Sequence, residues 1–190
     1  MKQVKWYLEN QLKKCTSYDL SVNDNDILSR FSLSEFIFQK VTSKKFRKWS
    51  IDKETKQAIR KALSINLIRN KPIQFTFPWG GYKLWNLPSA PKIDWAEFFA
   101  ISFYCKFVAP ILQVYKPGVE FHFVSDDAVI ELMDNIPKNE TKIYLKSFDS
   151  LLDHFRKYFP NNMKMDIVRV ADFYTKEEFS CALYFFPFFE

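Results

Sequence analysis

Glycine is scarcest here: three residues in a chain of 190, all of them between Lys71 and Asn135. A chain this sparing uses glycine where the backbone must turn through positive φ or approach another group closely. Histidine is rarer still, at two residues, His122 and His154. With no GxSxG segment, a hydrolase triad cannot be assembled. The three cysteines, Cys15, Cys105 and Cys181, are odd in number, widely spaced and unmatched by histidine. They suggest neither a disulfide framework nor a zinc site. There is no Walker loop and no GxGxxG. The opening Met1-Lys2-Gln3-Val4-Lys5 leads into polar sequence rather than the apolar core of a signal peptide. No apolar run approaches the roughly 18 residues that span a bilayer. The expectation is a cytoplasmic protein with no membrane partner.

What is present is aromatic and basic. Phenylalanine occurs 21 times and 47% of residues are apolar, which supports a sizeable core and argues against disorder. Formal charge is +6. Much of the excess lies before residue 71, in Lys13-Lys14, Lys44-Lys45, Arg47-Lys48 and Arg60-Lys61. It reads first as solvated surface, with a nucleic acid or an anionic metabolite as the functional alternatives.

Taken in order, residues 2–14 read as a short helix. Asn25 or Asp26 is expected to cap a second helix running through Gln39, with Ile27, Leu28, Phe31, Phe36 and Phe38 buried. Asp52 caps a third, through Arg69. PIQFTF (72–77) alternates as a strand and ends at Phe77-Pro78. A proline-punctuated loop follows to Ile93, and loops of that length are often functional. From Asp94 a long helix, apolar almost all round, is expected to be buried, and Pro110 to kink or split it. Lys116-Pro117-Gly118 turns into the strand VEFHFV, with Val119, Phe121 and Phe123 on one face. Ser125-Asp126-Asp127 closes that strand and leads to a short helix, AVIELMDN. A helix over 139–158 and a strand, MDIVRV, complete the pattern. The terminal FFPFF packs into the core or serves a partner surface.

Two groups carry candidate chemistry. Gly80, Gly81, Tyr82 and Lys83 form a loop whose backbone N–H groups and lysine suit an anion; the alternative is a structural turn. Asp94, Glu97, Asp126 and Asp127 form an acidic group. Asp94 and Glu97 are three apart, as in a capping box, and would otherwise orient an amine or act as a base. Ser125, Asp126 and Asp127 follow a strand, where α/β proteins tend to bind ligands.

In these residues the chain resembles the isonitrile (isocyanide) synthases of the paerucumarin and dityrosine-related type. The matching pieces are Phe77-Pro78, Lys83, Pro91 with Asp94-Trp95-Ala96-Glu97, Tyr115-Lys116-Pro117-Gly118 and Ser125-Asp126, in the family's order and at similar spacing. Tyr144 matches a downstream tyrosine. The resemblance covers about residues 72–150, and Asp127 stands where the family pattern has glycine. It implies a Rossmann-like domain that condenses an amino acid's amine with a phosphorylated pentulose, without a metal or other cofactor. Lys83, helped by the loop N–H groups, would hold phosphate. Gly80, Gly81, Tyr82, Ser125 and Asp127 are expected to line the substrate from the reading of the two groups above, since Gly80-Gly81 is not a feature of the family pattern. Glu97, Asp94 and Asp126 would handle the amine and the proton transfers.

The expected architecture is therefore α/β: a helical N-terminal segment (1–70) and a Rossmann-like three-layer domain (71–190). The expected partner is a small anionic metabolite. Nucleic acid is the less favoured partner, self-assembly is left open, and a non-catalytic interaction module that keeps the fold is a further alternative.

Overall fold

In a computed structural model the described residues are 2–16, 18–45, 49–79, 91–127, 131 and 136–173. Four helices come first: α1 (Lys2–Thr16), α2 (Val22–Arg30), α3 (Leu33–Val41) and α4 (Lys53–Ile68). Then β1 (Ile73–Pro78), α5 (Trp95–Val114), β2 (Val119–Ser125), α6 (Lys138–Arg156) and β3 (Met163–Arg169) alternate, and a short 3-10 turn ends the series (Val170–Phe173). Mixed helix and strand with a small parallel sheet of order β1-β2-β3 makes this an α/β fold. The chain divides into two compact units, one of residues 1–75, 98–120 and 153–164, the other of 76–97, 121–152 and 165–190.

The helix expected from residue 25 to 39 is two helices. Ser21, not Asn25 or Asp26, caps the first in a full capping box with Asp24. Phe31 then adopts an extended backbone, and Ser32 accepts from the Glu35 amide to start the second. Two competing serine caps outbid one continuous amphipathic run. Phe31, expected in the core, is consequently exposed, whereas Phe36 and Phe38 are buried. Asp52 caps α4 as expected, accepting from the Thr55 amide at 2.7 Å.

Asp24 does more than cap. It is buried and takes hydrogen bonds from the Tyr18 hydroxyl, the Ser21 amide and the Lys40 ammonium. Burial pushes its carboxyl up, but the bonds from Lys40, Ser21 and Tyr18 together hold it below the ordinary carboxylate range. A depressed carboxyl contributes stability above its unfolded pKa, near 3.9, and loses it as pH falls through the lower folded value. Asp24→Asn is therefore expected to cost roughly 2 kcal/mol at neutral pH and progressively less below about pH 4. Urea unfolding at several pH values reads this directly; a penalty independent of pH would remove the ionic contribution.

The sheet is built on phenylalanine. Along β2, Val119, Phe121, Phe123 and Ser125 are buried while the residues between them are half-exposed. Phe77 stacks on Phe121 and Phe123, and Phe148 of α6 meets Phe123 edge-on at 5.4 Å. Each such side chain contributes on the order of 1.5–3 kcal/mol by leaving water. In the first unit, Phe98 of α5 meets Phe155 of α6 at 5.3 Å and Tyr7 of α1 at 5.2 Å. The opposite strand face is polar. Gln74 donates to Glu120, and Lys164 pairs with Glu120 from the other side, so polar contacts cross all three strands on this face.

Helix α5 is apolar along its length and keeps Pro110 within an unbroken helical span. It is not buried all round: Trp95, Phe99 and Phe103, four residues apart, are exposed. Its length and hydropathy match those of a membrane-crossing helix, with 56% of that stretch buried inside the protein. At its end, Tyr115 donates its hydroxyl to Lys71 O at 2.6 Å and Asn66 O at 3.2 Å, tying α5 to the end of α4.

The turn into β2 needs its glycine. Gly118 has φ +76°, and a Cβ placed there would lie 1.7 Å from the Asn162 carbonyl oxygen. That oxygen accepts from the Val119 amide, while Gly118 O accepts from the Ile73 amide. One residue thus touches the starts of all three strands.

Candidate functional site

The buried face of β2 ends in Ser125, and two aspartates follow it. Ser125 and Asp127 are each 3% exposed. The Asp127 amide donates to Ser125 Oγ at 3.3 Å, which curls the backbone out of the strand. One carboxylate oxygen of Asp127, Oδ2, then receives Arg169 Nη2 at 2.6 Å and Nε at 2.8 Å. Arg169 is the last residue of β3. Two neighbouring strands therefore present a joined carboxylate and guanidinium at their carboxyl ends, where ligands of parallel sheets bind.

The hydrogen bond that Arg169 donates to Asp127 raises the Arg169 pKa, burial opposes it, and the charges of Asp127, Asp172 and Glu131 add to the rise. Arg169 thus stays cationic within a surround of carboxylates. Glu131 is itself anchored by the Thr141 hydroxyl of α6. The second oxygen of Asp127, Oδ1, is buried and takes no hydrogen bond among the described residues. Buried acceptors are normally satisfied, so this one is poised for a donor.

A second group forms where α5 begins. Asp94 Oδ1 accepts from the Ala96 amide at 2.7 Å, and the Asp94 amide donates to Glu97 Oε2 at 2.9 Å. Glu97 makes the returning half of a capping box, while Asp94 caps the second helical amide rather than the third, so both carboxylates hold the helix start. Glu97 is 5% exposed and also faces the Tyr144 hydroxyl of α6, which donates to Oε1 at 3.4 Å. One helical turn further along α6, Ser147 Oγ accepts from the Ile93 amide at 3.0 Å. Tyr144 stacks against Phe148, and Phe148 packs on Trp79, the residue after β1. The Trp79 indole N–H is buried and lacks an acceptor among the described residues.

Of the residues singled out from sequence, Ser125, Asp126 and Asp127 lie together at the end of β2 and just beyond it, and Asp94 and Glu97 lie together at the start of α5. Gly80, Gly81, Tyr82 and Lys83 fall outside the described residues, as does most of the segment expected as the helix AVIELMDN. Arg169, Trp79, Glu131 and Ser147 were missed. For Arg169 a signal existed: a cation directly after Ile167 and Val168, at the carboxyl end of a strand. Trp79 was indistinguishable from core aromatics, because only the structure shows its N–H without an acceptor. Among the described residues no cluster of three His, Cys, Asp or Glu side chains is placed to hold a metal ion.

The arrangement can grip a hydrogen-bond donor or cation against Asp127. Comparison with protein-family models, with curated proteins and with solved structures finds no match to this chain.

Proposed function

We propose that the chain is a small-molecule enzyme or binder whose site lies at the carboxyl ends of its parallel strands, in a Rossmann-like, three-layer arrangement. The observation that carries this reading is Asp127: buried, gripped by Arg169 through one oxygen, and open to a donor through the other. An amine is the donor that suits it, since Asp127, Asp172 and Glu131 all act on Arg169 and the local balance is acidic. The chemistry in view is an isonitrile-synthase-like condensation of an amino acid's amine with a phosphorylated pentulose. Asp126 and Glu97 supply proton transfer in this reading, and Asp94 orients the start of α5. The phosphate falls to Lys83, with Gly80, Gly81 and Tyr82 offering backbone N–H groups.

Thermal unfolding tests this. A ligand at 100 times its dissociation constant stabilises by roughly 2.7 kcal/mol. Tyrosine is expected to raise the midpoint, its des-amino analogue not to, and Asp127→Asn to abolish the shift. A pentulose phosphate is expected to shift wild type but not Lys83→Ala. Equal shifts with tyrosine and its des-amino analogue would sink the amine assignment, and retained sugar-phosphate affinity in Lys83→Ala would remove that lysine from the site.

The rival from another class is nucleic-acid association through α4, favoured by exposed Lys53 and Lys61. Arg60, on the same helix, is engaged with Glu35 by two nitrogens and lies over the Phe38 ring at 3.7 Å, which ties it to α3. Steep salt dependence of oligonucleotide binding would favour this rival.

A further inference from the structure

At the amino ends of the strands the first unit contains an open groove of about 830 Å³. Its walls are polar in a particular way. Lys116 and Lys164 supply charge, and Asn70, Asn161 and Asn162 supply amides, against a single carboxylate, Glu120. Arg69 and Lys71 flank Asn70 in sequence, and both are exposed. Two lysines therefore line the groove against one carboxylate.

A helix C-terminus ought to work against an anion here, because the last carbonyls of α5 carry partial negative charge. The structure masks that end. Asn162 Nδ2 donates to Leu112 O at 2.9 Å and to Tyr115 O at 3.3 Å, and the Gly118 amide also donates to Tyr115 O. Two of the carbonyls at that end are therefore already engaged, which lessens their pull against an anion. Glu120 is engaged with Lys164 at 3.4 Å and with Gln74. Lys116 is exposed and has no ion pair among the described residues, and the side chain of Asn161 has no hydrogen bond among them. The groove thus offers an uncommitted ammonium and amide beside a shared one, within the size range of small-molecule sites.

We infer that this groove is a binding site for a phosphate-bearing small molecule, with Lys116 and Lys164 on the phosphate and Asn161 on a neighbouring hydroxyl. It shares no residue with the Asp127 site: its lining includes the amino ends of β2 and β3 and the end of α5. Lysine suits the task because it meets phosphate as a compact point charge. The same phosphate chemistry is presented by a free nucleotide and by a nucleic-acid backbone, and the test separates them.

Isothermal titration of the full chain with AMP, adenosine, inorganic phosphate and a short DNA strand is the experiment. AMP is expected to saturate a single site with inorganic phosphate competing, and adenosine to bind at least tenfold more weakly. The Lys116→Gln/Lys164→Gln double variant is expected to weaken AMP at least tenfold. Both lysines are exposed, so the fold should tolerate the change. Lys53→Gln/Lys61→Gln, on α4, is expected to leave AMP affinity unchanged. If the DNA strand binds and AMP does not, or if AMP affinity falls with Lys83→Ala or the α4 pair rather than with Lys116 and Lys164, the assignment is overturned. Absence of saturable AMP binding overturns it equally.

Discussion

Replacing Gly118 by alanine is expected to cost about 4 kcal/mol of stability, a large value for one methyl group. Two effects add. At φ +76° an L-residue strains its own backbone by roughly 1–2 kcal/mol. The larger effect is contact: the new Cβ would fall 1.7 Å from a carbonyl oxygen that already accepts the Val119 amide. Backbone cannot swing aside as a flexible side chain would, so the Asn162 turn must move and the pairing of β2 with β3 must open. The two effects separate in Gly118→Asn, because asparagine tolerates the left-handed region but still carries a Cβ. If strain dominated, asparagine would recover most of the loss. With contact dominant, it is expected to be as damaging as alanine. Midpoints in urea decide between them, and an alanine variant within 1 kcal/mol of wild type would refute the geometry.

The second large effect is expected at Arg169. Substituting methionine leaves Asp127 buried without its partner, and breaking such a pair from one side typically costs about 3–5 kcal/mol. The guanidinium keeps 41% of its side-chain surface in water, so the lower end of that range applies. The Asp127→Asn/Arg169→Met double variant is expected to recover more than half of the loss, since the uncompensated carboxylate is gone. A double-mutant cycle with coupling under 0.5 kcal/mol would mean that the pair holds nothing in place.

Much of the scaffold was legible because it follows local rules. Asp52 caps α4, the 119/121/123 alternation marks the buried face of β2, and Lys116-Pro117-Gly118 marks the turn. These depend on residues within a few positions of each other. The division between α2 and α3 was hidden because Phe31 continues an apolar pattern that two serine caps interrupt. The exposed stripe on α5 was hidden for the opposite reason. A helix apolar on every side carries no periodicity to say which face meets solvent. At the candidate site, the carboxylates were visible as a cluster, and the capping role of Asp94 and Glu97 was legible from their spacing. Their partners were not. Arg169 and Tyr144 come from β3 and α6, and only the parallel register brings Arg169 beside Asp127.

The register also bears on how the chain is made. The amides and carbonyls that join the strands, Ile73 with Gly118 and Val119 with Asn162, are separated by on the order of forty residues. Helices close their bonds locally, so α1 to α4 can form while the ribosome still holds the rest. The sheet must wait. A nascent chain that has emerged only through β2 carries Phe121 and Phe123 with no α6 to cover them, because Phe148 is still to come. During that interval these rings are open to chaperones or to one another. Slower synthesis across residues 125–148 is therefore expected to lengthen the exposure of these rings and to raise aggregation at unchanged final stability.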